Sequence, residues 1–142
     1  MDILIPVSAG ELFDKISILE IKSERITSEE RLVHVRNELR LLQEVVKAHD
    51  LLIPDDLYLQ LKNCNTELWT IEDYIREKEE KAIFDEDFIK YARLDAQLND
   101  KRFVIKRSIN DHFSSAIVEH KSNIIEQKSY KESTLTRKVI LK

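Results

Sequence analysis

Residues that bend, crosslink or interrupt a chain are scarce in this sequence. Its 142 residues include one glycine, two prolines and one cysteine. The single cysteine, Cys64, excludes a disulfide within the chain, and the single glycine excludes a glycine-rich loop that would cradle a phosphate. No run of residues approaches the roughly 20 apolar residues of a membrane helix, and the segment after Met1 lacks the basic region of a signal peptide. We therefore expect a cytoplasmic protein that does not associate with membranes.

Charged and apolar residues are both abundant. Charged residues make up 35% of the sequence and hydrophobic residues 42%, with a formal net charge of −4. Together with the few turn-forming residues, this composition is typical of long helices with surfaces of mixed charge. Binding to nucleic-acid phosphates needs a basic face, which the overall charge balance does not favour. We therefore expect no nucleic-acid partner.

Apolar periodicity predicts four long helices. Helical spacing of apolar residues extends over residues 9–26, 28–49, 55–81 and 86–115. An extended arm precedes these helices at residues 1–7, and a β-biased or irregular tail follows at residues 123–142. The predicted fold class is mainly α, with one four-helix bundle-like domain spanning residues 1–142 and a small β pair as an option for the two termini.

The first predicted helix is apolar on two sides. Leu12, Ile16 and Leu19 belong to its main stripe, whereas Ile18 and Ile21 lie on the other side. A helix that is apolar on two sides is buried on two sides, so we expect it at the centre of the bundle or at a dimer seam. Because twofold dimers are the commonest oligomers, we expect a homodimer.

A line of polar residues runs through the apolar face of the fourth predicted helix. On the helical wheel, five polar side chains fall among the apolar ones: Asp95, Asn99, Arg102, Lys106 and Asn110. A buried charge has to be paired, hydrogen-bonded or matched by a ligand. The stripes of the other predicted helices contain or adjoin further polar residues: Glu20, Arg36, Glu72 and Arg76. If the four stripes face one another, these side chains converge.

Two interpretations of this convergence are open. In the first, the nearly matched charges neutralise one another in an internal polar network, and the protein is a non-enzymatic interaction or assembly module. In the second, the bundle contains a pocket for a small anion such as a dicarboxylate or a phosphate ester. The ligand-binding candidates are then Arg102, Lys106, Asn99, Asn110, Arg76, Arg36 and Glu20, and the catalytic candidates are Glu72, Asp95 and Lys106.

The sequence does not favour a metal centre. Its four histidines show no ligand spacing, and a lone cysteine cannot form the pairs of a zinc site. The inward Glu-x-x-His pairs of di-iron bundles are missing as well. We therefore expect neither a metal ion nor another cofactor.

Several short strings resemble those of a family of uncharacterised small helical proteins, a domain of unknown function. They are Ile5-Pro6-Val7-Ser8 with Gly10-Glu11-Leu12, Ile18-Leu19-Glu20-Ile21-Lys22, Leu68-Trp69 with Ile71-Glu72-Asp73, Asn99-Asp100-Lys101-Arg102, and Glu126-Gln127-Lys128-Ser129-Tyr130. Ala9 stands where the family pattern has a proline. The resemblance implies a shared fold and carries no activity.

A second likeness is architectural only. The predicted bundle is similar to the all-helical chorismate mutases, small helical dimers in which inward arginines and lysines grip a dicarboxylate. No motif of those enzymes aligns with this chain residue by residue. The likeness implies the kind of anion pocket described in the second interpretation, and fold-level analogy alone does not establish a function.

Overall fold

Four helices form the protein, which confirms the mainly α, bundle-like fold class. The computed structural model describes residues 1–115, 117 and 119. The helices are α1 (Ala9–Arg25), α2 (Glu29–Ala48), α3 (Asp55–Glu80) and α4 (Glu86–His112). The fourth helix ends three residues before the predicted residue 115.

Side-chain caps define the start of two helices. The Oγ of Ser8 accepts a hydrogen bond from the backbone N–H of Glu11 at 3.2 Å, and Asp85 Oδ1 accepts one from the N–H of Phe88 at 3.0 Å. These oxygens satisfy backbone donors that have no partner within the first turn. The Glu11 side chain does not complete the capping box that its spacing predicts, because it contacts α4 instead.

Three helices end in the same hydrogen-bonded motif. Asp50, Ala82 and Ser114 follow α2, α3 and α4 with φ angles of 49°, 51° and 52°. In each case the next residue donates its N–H back into the last turn, as Ser115 does to the carbonyl of Asn110 at 2.9 Å. A left-handed residue at this place is usually glycine, which this chain does not provide. The motif after α4 also explains why that helix stops at His112.

The first helix lies at the centre of the fold, as its two apolar sides predict. It packs against α2, α3 and α4, whereas α2 packs chiefly on α1 and α3 packs chiefly on α4 and α1. One apolar cluster joins α1, α3 and α4, and its most buried members are Phe13, Ile16, Leu61, Cys64, Leu68, Ile105 and Ile109. Within the described residues, no helix is long and apolar enough to cross a membrane.

The predicted β pair of the termini is not supported. The arm over residues 1–7 has no regular secondary structure and makes no strand pairing within the described part of the chain. Its predicted partner, the tail over residues 123–142, lies outside the described residues. The arm leaves Ile3, Leu4 and Ile5 exposed to solvent.

The only glycine lies where two helices touch. A Cβ atom on Gly10 would lie 2.5 Å from the carbonyl oxygen of Lys106 and 2.8 Å from the Oδ1 of Asn110. The backbone N–H of Gly10 donates to that same Oδ1 at 2.7 Å. Gly10 therefore allows the start of α1 to approach the backbone of α4.

Exchanging glycine and alanine at two positions should change stability in opposite directions. We expect Gly10→Ala to lower the free energy of unfolding by about 1–3 kcal/mol, because the added methyl overlaps α4. We expect Ala82→Gly to raise it by about 0.5–1 kcal/mol, because glycine accepts the positive φ without a steric penalty. Urea unfolding followed by circular dichroism measures both changes. Changes of the free energy of unfolding in the same direction for both variants would contradict this explanation.

Candidate functional site

A buried carboxylate on α1 is the centre of the polar interior. Asp14 is 2% exposed, and its two oxygens accept hydrogen bonds from Arg102 of α4. Arg102 Nε lies 2.9 Å from Oδ1, and Nη2 lies 2.5 Å from Oδ2. This two-point contact fixes the plane of the guanidinium group. The hydrogen bonds to Asp14 also raise the pKa of Arg102 above its usual range.

A third helix joins the same carboxylate through an amide. Asn65 of α3 is buried, and its Nδ2 donates to Asp14 Oδ1 at 2.9 Å and to Ser17 Oγ at 2.7 Å. The Ser17 hydroxyl donates in turn to the carbonyl oxygen of Asp14 at 2.8 Å. The amide orientation is therefore determined, because Asp14 can only accept and the Ser17 proton is already used.

Lys106 extends this network one turn further along α4. Its Nζ lies 2.7 Å from Glu11 Oε2, 3.1 Å from Glu119 Oε2 and 3.7 Å from Asp14 Oδ2. Burial lowers the pKa of Lys106, but the contacts with these carboxylates outweigh burial and raise it. We refer to Asp14, Arg102, Asn65, Ser17, Lys106 and Glu11 together as the Asp14 network.

A cleft of about 310 Å³ lies beside the Asp14 network, between α1, α3 and α4. Arg102 and Asn65 belong to both the network and the cleft wall. The wall has an apolar part (Ile18, Ile21, Leu68 and Trp69), three cations (Lys22, Arg76 and Arg102), two carboxylates (Glu72 and Asp73) and the amide of Asn65. We call this space the α1–α3 cleft.

The structure brings three of the predicted site residues together in this cleft: Arg102, Arg76 and Glu72. Lys106 and Asn110 lie in the contact between α1 and α4 instead, where Asn110 accepts the N–H of Gly10. None of these placements tests the predicted roles, which stay predictions.

Asp95 and Asn99 form a contact within α4. Asn99 Nδ2 donates to the carbonyl oxygen of Asp95 at 3.1 Å, and its distance to Asp95 Oδ2 is 3.4 Å. The other carboxylate oxygen of Asp95 is buried and has no hydrogen-bond partner among the described residues. Neither residue lines the α1–α3 cleft.

Arg36 and Glu20 do not converge with the other candidates. Arg36 of α2 is exposed and lies 3.5 Å from Glu29. Glu20 lies 3.1 Å from Lys62 and lines a separate cleft of about 190 Å³ that includes Tyr58. The predicted convergence therefore does not include these two residues. Arg36 lies away because α2 packs chiefly on α1, so its polar edge faces solvent. Glu20 lies on α1 and is paired with Lys62 of α3 instead.

Sequence reasoning missed the carboxylate on which the network depends. Asp14 follows the same side of α1 as Ile18 and Ile21, within about 60° on the helical wheel. Its place on that side could have identified Asp14 from the sequence, because a carboxylate on a buried face needs a partner. Lys22 flanks the apolar stripe of the first predicted helix, as Glu20 does, which marks it as a residue that could point inward. Asn65 and Ser17 had no comparable signal, since their positions depend on how the helices cross.

The described part of the chain contains no set of side chains that could bind a metal ion. No group of three or more histidine, cysteine, aspartate or glutamate side chains is placed there to hold an ion. Cys64 is buried, and burial raises the pKa of its thiol. The polar chemistry of the site therefore consists of its arginines, lysines, carboxylates and amides.

Comparison with known proteins confirms the resemblance noted in the sequence. The model of a family of unknown function (DUF6165) matches residues 3–137. No curated protein and no solved structure matches the chain.

Replacing Arg102 tests whether the Asp14 network is structural. We expect Arg102→Met to lower the free energy of unfolding by roughly 3–5 kcal/mol, because it leaves the buried Asp14 carboxylate without its main partner. Arg107→Met is the matched control, since Arg107 is an exposed arginine of the same helix and surface changes usually stay within about 0.5 kcal/mol. Chemical denaturation measures both variants. Equal stability of the two would show that Asp14 does not depend on Arg102.

Proposed function

The chain belongs to the DUF6165 family, whose function is unknown, and we propose that it binds a small anionic ligand in the α1–α3 cleft. The sequence-based alternative names a dicarboxylate or a phosphate ester, and we propose the wider class of carboxylates and phosphate esters for this cleft. The cations that would hold it are Lys22, Arg76 and Arg102. This set differs from the predicted pair of Arg102 and Lys106, because Lys106 is engaged with carboxylates outside the cleft.

The observation that carries this proposal is that two cations of the cleft have no ion-pair partner among the described residues. Lys22 and Arg76 line the cleft, yet neither makes an ion pair within the part of the chain that the structure describes. Lys22 is half-buried and Arg76 is exposed, so the charged ends of both side chains are accessible to a ligand from solvent. A carboxylate or phosphate can accept from such donors, and a guanidinium can bind it at two points.

The Asp14 network supports the same proposal from the other side. Asp14 and Asn65 hold Arg102 and the cleft wall in place before any ligand arrives. A side chain whose orientation is already fixed loses little conformational freedom on binding. The network therefore acts as the rigid base of the proposed cleft.

Binding is proposed here, and a reaction is not. Glu72 is the one catalytic candidate that lines the cleft, whereas Asp95 and Lys106 lie outside its lining. The likeness to the all-helical chorismate mutases stays a prediction.

Removing the charge of Arg76 should weaken anion binding while the protein stays folded. We expect phosphate, succinate and 3-phenylpropanoate, tested at constant ionic strength, to include at least one anion that raises the melting temperature of the parent. We expect Arg76→Gln to weaken its binding by about tenfold or more, since a hydrogen bond to a charged group contributes roughly 1.5–3 kcal/mol. Isothermal titration calorimetry measures the affinity. Arg107→Gln is the control with equal loss of charge, and equal weakening by both variants would point to nonspecific attraction.

An assembly role is a second candidate function, favoured by the exposed arm. Ile3, Leu4 and Ile5 are 75%, 96% and 71% exposed, and extended apolar segments of this kind pair readily with a second strand. We propose the arm of a second copy as the partner, which would make the homodimer of the sequence-based expectation. Light scattering should then give a dimer mass for the full chain and a monomer mass after deletion of residues 1–7. Equal masses would reject this role for the arm.

A further inference from the structure

The charges left unpaired in the α1–α3 cleft are of both signs. Arg102 is compensated by Asp14, which leaves Lys22 and Arg76 as cations and Glu72 and Asp73 as carboxylates. None of these four side chains makes an ion pair within the described ranges. The remaining charge of the cleft is therefore two positive and two negative groups. A ligand with two negative charges would be attracted by the first two and repelled by the second two.

An acceptor oxygen in the same wall is open to solvent and available to a hydrogen-bond donor. Asn65 is 5% exposed, and both protons of its Nδ2 are donated to Asp14 and Ser17. Its Oδ1 accepts no hydrogen bond from the residues that the structure describes. Because the amide cannot flip without losing both donated bonds, this oxygen remains an acceptor in the wall of the cleft. An N–H group of a ligand would satisfy it.

The acceptors lie on both sides of Trp69 along α3. Asn65 precedes Trp69 by one turn, about 6 Å along the helix, and Glu72 and Asp73 follow it by about one turn. The aromatic ring of a tryptophan attracts a cation placed over its face. An ammonium group near Trp69 would thus lie between an amide oxygen on one side and two carboxylates on the other. Arg76 lies one further turn along α3, and Lys22 lies across the cleft on α1.

From these positions we infer that the ligand is a zwitterion of the amino-acid type. Its ammonium group occupies the Trp69 level, between Asn65 and Glu72, and its carboxylate contacts Arg76 or Lys22. Ile18, Ile21 and Leu68 supply an apolar wall for the rest of the molecule. This inference rests on the proposed function, because it names the ligand class of the same cleft. It adds the requirement for an amine, which a dicarboxylate or a phosphate ester lacks.

Two matched sets of compounds separate the contributions of the two ends. The aromatic set is phenylalanine, 3-phenylpropanoate and 2-phenylethylamine, and the aliphatic set is leucine, 4-methylpentanoate and 3-methylbutylamine. Within each set the three molecules share a body and differ only in which charged ends they carry. We expect the zwitterion of at least one set to bind the full-length protein about tenfold or more tightly than both of its partners, as measured by calorimetry.

Variants then assign each end to its side chains. Glu72→Gln with Asp73→Asn should bring the affinity of the zwitterion to within about threefold of that of the carboxylate alone, because the ammonium loses its charged acceptors. Glu67→Gln, an exposed carboxylate of the same helix, should leave the ratio unchanged. Arg76→Gln should weaken the zwitterion and the carboxylate together.

The outcomes distinguish this inference from the proposed function. If the carboxylates bind as tightly as the zwitterions and Arg76→Gln weakens them, the cleft is an anion site and the amine requirement is wrong. If the amines alone bind as tightly as the zwitterions, the inferred contact of the ligand carboxylate with Arg76 or Lys22 is wrong. If no zwitterion, carboxylate or phosphate binds, both the proposed function and the inference fail.

Discussion

A single carboxylate that water cannot reach constrains the arrangement of three helices. Asp14 accepts hydrogen bonds from Arg102 of α4 and Asn65 of α3, so α3 and α4 are both tied to one carboxylate of α1. The desolvation of such a charge is costly unless its partners are well placed. Any rotation or sliding of one helix would therefore leave a buried charge partly unsatisfied. The apolar cluster supplies most of the driving force for folding, whereas Asp14 selects the one arrangement in which the helices can meet.

The same constraint positions the candidate ligand cleft. Arg102 and Asn65 each present one side to Asp14 and another to the α1–α3 cleft. Their geometry is therefore fixed by the fold and does not have to be organised by a ligand. Because Arg102 and Asn65 face both ways, a closed polar network and a set of unpaired charges occur side by side. The network belongs to the scaffold, and Lys22, Arg76, Glu72 and Asp73 form the part of the region that faces outward.

Features that depend on residues close together in the sequence were predictable, whereas contacts between distant positions were not. The four helices and the central place of α1 depend on local periodicity and on few helix breakers, so the sequence predicts them well. The line from Asp95 to Asn110 correctly predicts that α4 has a polar interior, because the wheel shows Arg102 and Lys106 among apolar neighbours. It does not predict which partner each residue meets. Asp14 lies 88 positions from Arg102, and Arg36 lies away from the site because α2 packs chiefly on α1. Such pairings depend on helix crossing, which periodicity does not encode.

The peripheral position of α2 also has a consequence for the dynamics of the molecule. Its only buried residue is Leu32, and the ion pair that joins it to α1, between Lys15 and Glu38, is exposed. Separating α2 from α1 would therefore cost much less free energy than separating α3 or α4, which would disrupt the Asp14 network. Proteins open in cooperative units that follow such differences. The native ensemble should thus contain a minor, partly unfolded state in which α2 is detached while the other three helices, and the cleft between them, stay intact.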